Sequence, residues 1–171
     1  MTWKTHVAIG ANAIWIAAAL GRVNDSIIFL LPTAALASLL PDLDAGAAKI
    51  HFAGGGIFQT FRGFFTGKYL HHRGILHSLF AAGLYFLAFC LFFQDMLFPL
   101  VFAAAYFSHP LIDGLNTRVG YLYPFSLKRF ALVPRALQTP IKGPVDNILF
   151  VIGAGCLLIF FLTFANNFVP I

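Results

Sequence analysis

The sequence predicts an all-α fold, a polytopic membrane helix bundle of about five transmembrane helices, and three observations predict it. Of the 171 residues, 60% are hydrophobic and only 10% are charged, whereas an average soluble domain carries about a quarter charged residues. The apolar residues are gathered into five segments, roughly 6–20, 27–40, 75–93, 96–113 and 148–165. Lysine and arginine fall almost entirely on one side of the alternation that these segments impose. No linker-like composition or internal repeat divides the chain, so residues 1–171 are expected to form a single integral membrane domain.

The segments differ in length. The first two span 15 and 14 residues, which fits short spans, tilted helices or a re-entrant hairpin. The last three have 18 or 19 residues, close to the roughly 20 that cross a hydrocarbon core as helix. His6 at the start of the first segment and Trp15 inside it argue against a cleaved signal peptide. Cys90 and Cys156 each lie within an apolar run, without the spacing of a disulfide framework or thiolate zinc site.

Five crossings place the N-terminus, loop 41–74 and loop 114–147 on one side. That side carries Lys4, Lys49, Arg62, Lys68, Arg73, Arg118, Lys128, Arg129, Arg135 and Lys142; the other carries Arg22 alone. Cytoplasmic loops hold the Lys/Arg excess, so the N-terminus is expected in the cytoplasm and the C-terminus outside. The net charge of +5 is thus chiefly a topology signal, shared with contact to anionic headgroups or substrate phosphates. No nucleic-acid partner is expected.

The same topology gathers the metal-capable side chains at the cytoplasmic ends of four segments. His6 opens the first, Asp42 and Asp44 close the second, His77 begins the third just after His71 and His72, and His109 with Asp113 ends the fourth. Ionisable groups at membrane depth are costly unless they pair or coordinate. In Ser108-His109-Pro110-Leu111-Ile112-Asp113 the four-residue spacing puts His and Asp on one helix face, facing one cation. Pro41-Asp42-Leu43-Asp44 sets two carboxylates beside a proline that restricts the helix before it. His72 and His77 share a site only if His72 precedes the helix, a bend that Gly74 permits. His51 and the Gly54-Gly55-Gly56 loop lack ligand or phosphate-loop spacing.

Nitrogen and oxygen ligands without cysteine suit Zn²⁺, with Mn²⁺ or Fe²⁺ compatible, as one or two ions. The chain has no glutamate, which excludes the HExxH protease mechanism. The general base would have to be Asp or His, the uncommitted aspartate of Asp42 and Asp44 being the candidate, with Arg73 or Arg118 available to hold a phosphate's developing charge.

The strings Thr5-His6, Pro41-Asp42-Leu43-Asp44, His72-Arg73-Gly74-Ile75-Leu76-His77-Ser78 and Ser108-His109-Pro110-Leu111-Ile112-Asp113 together resemble the YdjM-like family of predicted membrane-bound, metal-dependent hydrolases. The resemblance covers about residues 5–126, including Gly114 and Tyr123-Pro124-Phe125-Ser126. It implies a bacterial inner-membrane location. The motif order is also similar to zinc-dependent phospholipase C. By that analogy His6 with Asp113 serves one ion, and an aspartate of the PDxD pair, His72 or His77, His109 and Asp113 serve another.

The expected function is hydrolysis, by metal-activated water, of a phosphoester or related ester of a lipid-like or phosphorylated membrane-associated substrate. Membrane lipid is the expected partner. The expected ligands are His6, Asp42, Asp44, His72, His77, His109 and Asp113. Two alternatives use similar residues: a divalent-cation transporter or channel, which places its ligands near the bilayer midplane, and a non-catalytic membrane scaffold.

Overall fold

A computed structural model of the chain describes residues 1–23, 27–44, 73–138 and 142–164. Each apolar segment becomes helix, and among the described residues there is no strand, only an isolated antiparallel bridge between Val119 and Phe130.

The first segment is a helical run broken in the middle: α1 (Trp3–Gly10), a 3-10 stretch (Ala11–Ile14) and α2 (Trp15–Ala19). Asn12 explains the break. Its side-chain amide donates to the carbonyl of Ala8 at 2.7 Å, the acceptor that the Asn12 N–H would use in an α-helix, and the backbone tightens instead. The run ends at Gly21, whose φ is +63°. Arg22 N–H donates to Ala17 O and Gly21 N–H to Ala18 O, a pair of bonds that the left-handed residue makes possible.

Next come α3 (Ile27–Ala37), a 3-10 turn over Leu40–Asp44, and a second 3-10 turn over Ile75–His77. They are followed by α4 (Leu79–Phe92), α5 (Leu97–Asp113) and α6 (Pro144–Phe164). Three of the boundaries that differ from the apolar segments have a clear local reason. Pro41 disfavours helix at the residue before it, and α3 stops at Ala37. Ser78 caps α4 by accepting from Ala81 N–H at 3.1 Å, so the segment begins as a turn and not as helix. Pro144, at a first helical position where a missing N–H costs nothing, starts α6 four residues ahead of the apolar run.

α5 runs through the centre, packing on α1, α3 and α4, while α6 packs on α1. Small residues allow the close approaches. A Cβ on Gly10 would lie 2.3 Å from Ser38 Cβ, and one on Gly153 would lie 2.9 Å from the Ala8 carbonyl carbon. The core includes Ile14, Leu30, Ala34, Val101, Tyr106 and Phe160, all essentially inaccessible. The outward faces are apolar too, with Leu84, Leu87 and Leu91 on α4 and Val151, Ile152, Leu158 and Leu162 on α6 exposed. Exposure on that scale marks a surface built for an apolar surrounding.

α6, with 21 residues, is the one described helix long and apolar enough to span a bilayer; α4 and α5 have 14 and 17. At the end of the bundle where α2 finishes and α5 begins, Arg22 forks onto Asp95 through two bonds of 2.6 Å. The guanidinium holds the Asp95 carboxyl below the usual carboxylate range. This contact puts the loop after α2 and the turn between α4 and α5 at the same end of the bundle.

Candidate metal centre

At the opposite end, His6 comes from the first turn of α1, Asp42 from the 3-10 turn after α3, and His77 from the turn before α4. His109 and Asp113 come from the last two turns of α5. His6, His77, His109 and Asp113 are all at most 2% accessible. Asp42 is the most accessible of the five, with its side chain 24% accessible.

The spacings are those of ligands facing a shared point. His6 Nε2 lies 3.3 Å from Asp113 Oδ1, and His109 Nε2 lies 3.4 Å from Asp42 Oδ1. His77 Nε2 is 3.9 Å from both Asp42 Oδ1 and Asp113 Oδ2. His6 and His109 stack face to face at 3.6 Å, and His77 meets His109 edge-on at 5.1 Å. Two ligand sets result, His6 with His109 and Asp113, and Asp42 with His77 and His109; within each set the candidate ligand atoms lie within 4.8 Å of one another.

One backbone contact decides which nitrogen of His109 is available. Its Nδ1 is 2.6 Å from the carbonyl oxygen of Ser38. A carbonyl only accepts, so Nδ1 carries a proton, and in the neutral imidazole Nε2 is the nitrogen that presents a lone pair to the carboxylates. That buried Nε2, like His6 Nδ1, has no hydrogen-bond partner among the described residues. A lone pair facing a carboxylate in a buried place is repulsive unless a cation or a proton lies between them. Two nitrogen or oxygen ligands about 2.0–2.1 Å from one tetrahedral ion sit roughly 3.3–3.4 Å apart, which the two shorter spacings match. The residues therefore fit a divalent metal. His109 offers Nε2 to one ion only, so the two sets are alternatives around it, or the residues would hold two ions with His109 serving one of them.

The surroundings hold these side chains in place. Arg73 donates from Nε to Asp113 Oδ2 at 2.8 Å, so at least part of its guanidinium orients Asp113. It does so from a left-handed backbone, φ +65°, where its carbonyl accepts from Gly120 N–H at 3.0 Å. The Met1 amino group lies 3.1 Å from Asp113 Oδ1. Tyr121 donates its hydroxyl to Pro110 O at 2.9 Å, within the proline-containing turn between His109 and Asp113. Burial, with Asp113 nearby, pushes its phenol up to about 12, so the donor proton is kept. Gly114 leaves room for it: a Cβ there would overlap the Tyr121 hydroxyl. Burial opposes the ionisation of Asp42, but His109, His6 and His77 outweigh it and hold the carboxyl well below the usual range.

Of the seven expected ligands, the structure brings together His6, Asp42, His77, His109 and Asp113. His72, with His71, His51 and Gly54–Gly56, lies outside the described residues, as does the side chain of Asp44. Two supports escape sequence reasoning. Asp146, 2% accessible, accepts from Thr5 Oγ1 at 2.6 Å and from Thr2 N–H at 3.2 Å, tying the start of α6 to the turn that carries His6. A carboxylate at the edge of an apolar run was the available signal. The Ser38 carbonyl that orients His109 had none, since any residue supplies a carbonyl.

The fold and the site define an apolar helical protein with a buried histidine and aspartate cluster, suited to a metal, at one end of its helices. Residues 1–168 match the family described as YdjM inner membrane protein. The chain belongs to that family, and it is a membrane protein. No curated protein and no solved structure matches it, so the likeness to zinc-dependent phospholipase C has no counterpart among them.

Proposed function

We propose that this protein is an inner-membrane, metal-dependent hydrolase acting on a phosphoester or related ester of a membrane-associated substrate. The proposal includes about five crossings, the N-terminus in the cytoplasm, the C-terminus outside, and the site at the cytoplasmic interface. The observation that carries it is the convergence of five ligand-type side chains from four chain segments, with the His109 tautomer set to leave Nε2 available. His6, Asp42, His77, His109 and Asp113 would hold one or two ions, Zn²⁺ by ligand type, with Mn²⁺ or Fe²⁺ compatible. A bound ion supplies Lewis-acid polarisation of the ester and of the attacking water.

The chain's own residues divide the remaining work. Of the pair Asp42 and Asp44, the carboxylate that does not hold an ion takes the proton from water. Arg73 fixes Asp113 through Nε and offers its terminal nitrogens to a phosphate oxygen. The cluster lies at helix ends and not at their midpoints, which supports an interfacial enzyme over a cation transporter.

Elemental analysis of detergent-purified protein, paired with hydrolysis of bis-p-nitrophenyl phosphate and short-chain phosphatidic acid, tests this. Wild type and His51→Ala are expected to retain about one or two ions per chain. His109→Ala and Asp113→Ala are expected to lose them, along with at least about 100-fold of the hydrolysis. Metal retained by a protein that cleaves neither ester would remove the hydrolase reading and leave a structural metal. Ion flux into liposomes would favour the transporter.

A further inference from the structure

The segment after α5 lines an open polar cleft of about 850 Å3, bordered by Thr117, Phe130, Gln138 and the exposed side chains of Arg118, Arg129 and Arg135. Three arginines from separate points of the chain thus border one space, and a guanidinium cannot relieve the repulsion by losing its proton. The described carboxylates are all engaged elsewhere: Asp42 and Asp113 in the histidine cluster, Asp95 on Arg22, and Asp146 on Thr5. Among the described residues no carboxylate pairs with Arg118, Arg129 or Arg135.

The walls are built and tied to the helix that carries the cluster. Val119 and Phe130 exchange backbone bonds of 2.8 and 2.9 Å, Leu132 N–H donates to Gly114 O at 2.8 Å, and Thr117 N–H donates to Asp113 O at 3.0 Å. A 3-10 turn over Arg135–Leu137 brings in the third arginine. Gln138 Nε2 reaches Val133 O at 3.4 Å.

We infer that this cleft is a binding site for a phosphate-bearing anion, held by Arg118, Arg129 and Arg135 with Thr117 and Gln138 as neutral hydrogen-bonding partners. Guanidinium forks match phosphate oxygens two at a time, and a multiply charged phosphate offsets three cations better than a carboxylate does. The cleft volume suits a headgroup or small phosphorylated molecule. The same segment exposes Phe125, Leu127 and Leu137 at 82%, 73% and 67%. Bulky apolar side chains interleaved with basic ones are the composition of a surface seated among anionic headgroups, and a phospholipid headgroup is one source of the phosphate. A free soluble phosphate is the other. The site does not depend on the hydrolase reading, because none of its lining residues belongs to the metal cluster.

The test is thermal unfolding of the full-length, detergent-purified protein, with chelator present so that metal occupancy does not enter. Wild type, the triple variant Arg118→Gln/Arg129→Gln/Arg135→Gln and the basic control Lys4→Gln/Lys142→Gln are titrated with phosphatidylglycerol, phosphatidylcholine and inorganic pyrophosphate. Wild type and control should be stabilised by phosphatidylglycerol and not by phosphatidylcholine, with the apparent affinity at least about tenfold weaker in the triple variant. An arginine-dependent response to pyrophosphate alone would assign the soluble source. Equal responses of wild type and triple variant, or no response of wild type to either anion, would overturn the site. If the triple variant does not fold, Arg129→Gln and Arg135→Gln singly carry the same comparison.

Discussion

His109 shows how little of a metal site resides in the ligand itself. Its position four residues before Asp113 is legible in the sequence, but the atom that sees the carboxylates is chosen by the Ser38 carbonyl, brought in by packing of α3 on α5. The support beneath His6 is similar, since Thr5 hands its hydroxyl proton to Asp146 at 2.6 Å in a buried place. Thr5→Val keeps the shape of the side chain and removes that donor. We expect it to lower stability by about 1–3 kcal/mol and to weaken metal retention, through an unanchored first turn of α1. Unfolding in detergent and elemental analysis measure the two effects. Unchanged values in both would show that Asp146 is satisfied by Thr2 alone.

Helices meet here through small residues, and their separation sets the site. At Gly10 a Cβ would come within 2.3 Å of the Cβ of Ser38, the residue whose carbonyl orients His109. Gly10→Val should push α1 from α3, lowering the unfolding temperature and metal content together. If metal content holds while stability falls, the His6 and His109 positions are less coupled than their 3.6 Å stacking indicates. The outward face of α6 makes a different prediction. Ile152, 52% accessible near the middle of that helix, would tolerate arginine in water. In a bilayer centre the change costs about 2.5–3.5 kcal/mol or more. Ile152→Arg should therefore reduce the protein recovered in the membrane fraction, and an unchanged yield would show that this face does not meet lipid.

For the whole molecule, the charge distribution predicts that the end bearing Arg22 and Asp95 lies outside and the end bearing the cluster lies inside. In a background of Cys90→Ser/Cys156→Ser, a membrane-impermeant thiol reagent should label Asp95→Cys in intact cells and Lys142→Cys only after lysis. The reverse pattern would invert the proposed topology. Composition, spacing and charge count along the chain suffice for the helical class, the apolar segments and the alternation that sends His6, Asp42, His77, His109 and Asp113 to one end. Helix ends were less legible, being set by local bonds such as the Ser78 cap, the Asn12 side chain and the Gly21 turn. Which atoms meet is settled by packing: the Ser38 carbonyl on His109, Arg73 on Asp113, Asp146 under Thr5, and three arginines around one cleft. The three side-chain pairings join residues 40 to 141 positions apart, and a chain's periodicity carries no record of contacts that only packing creates.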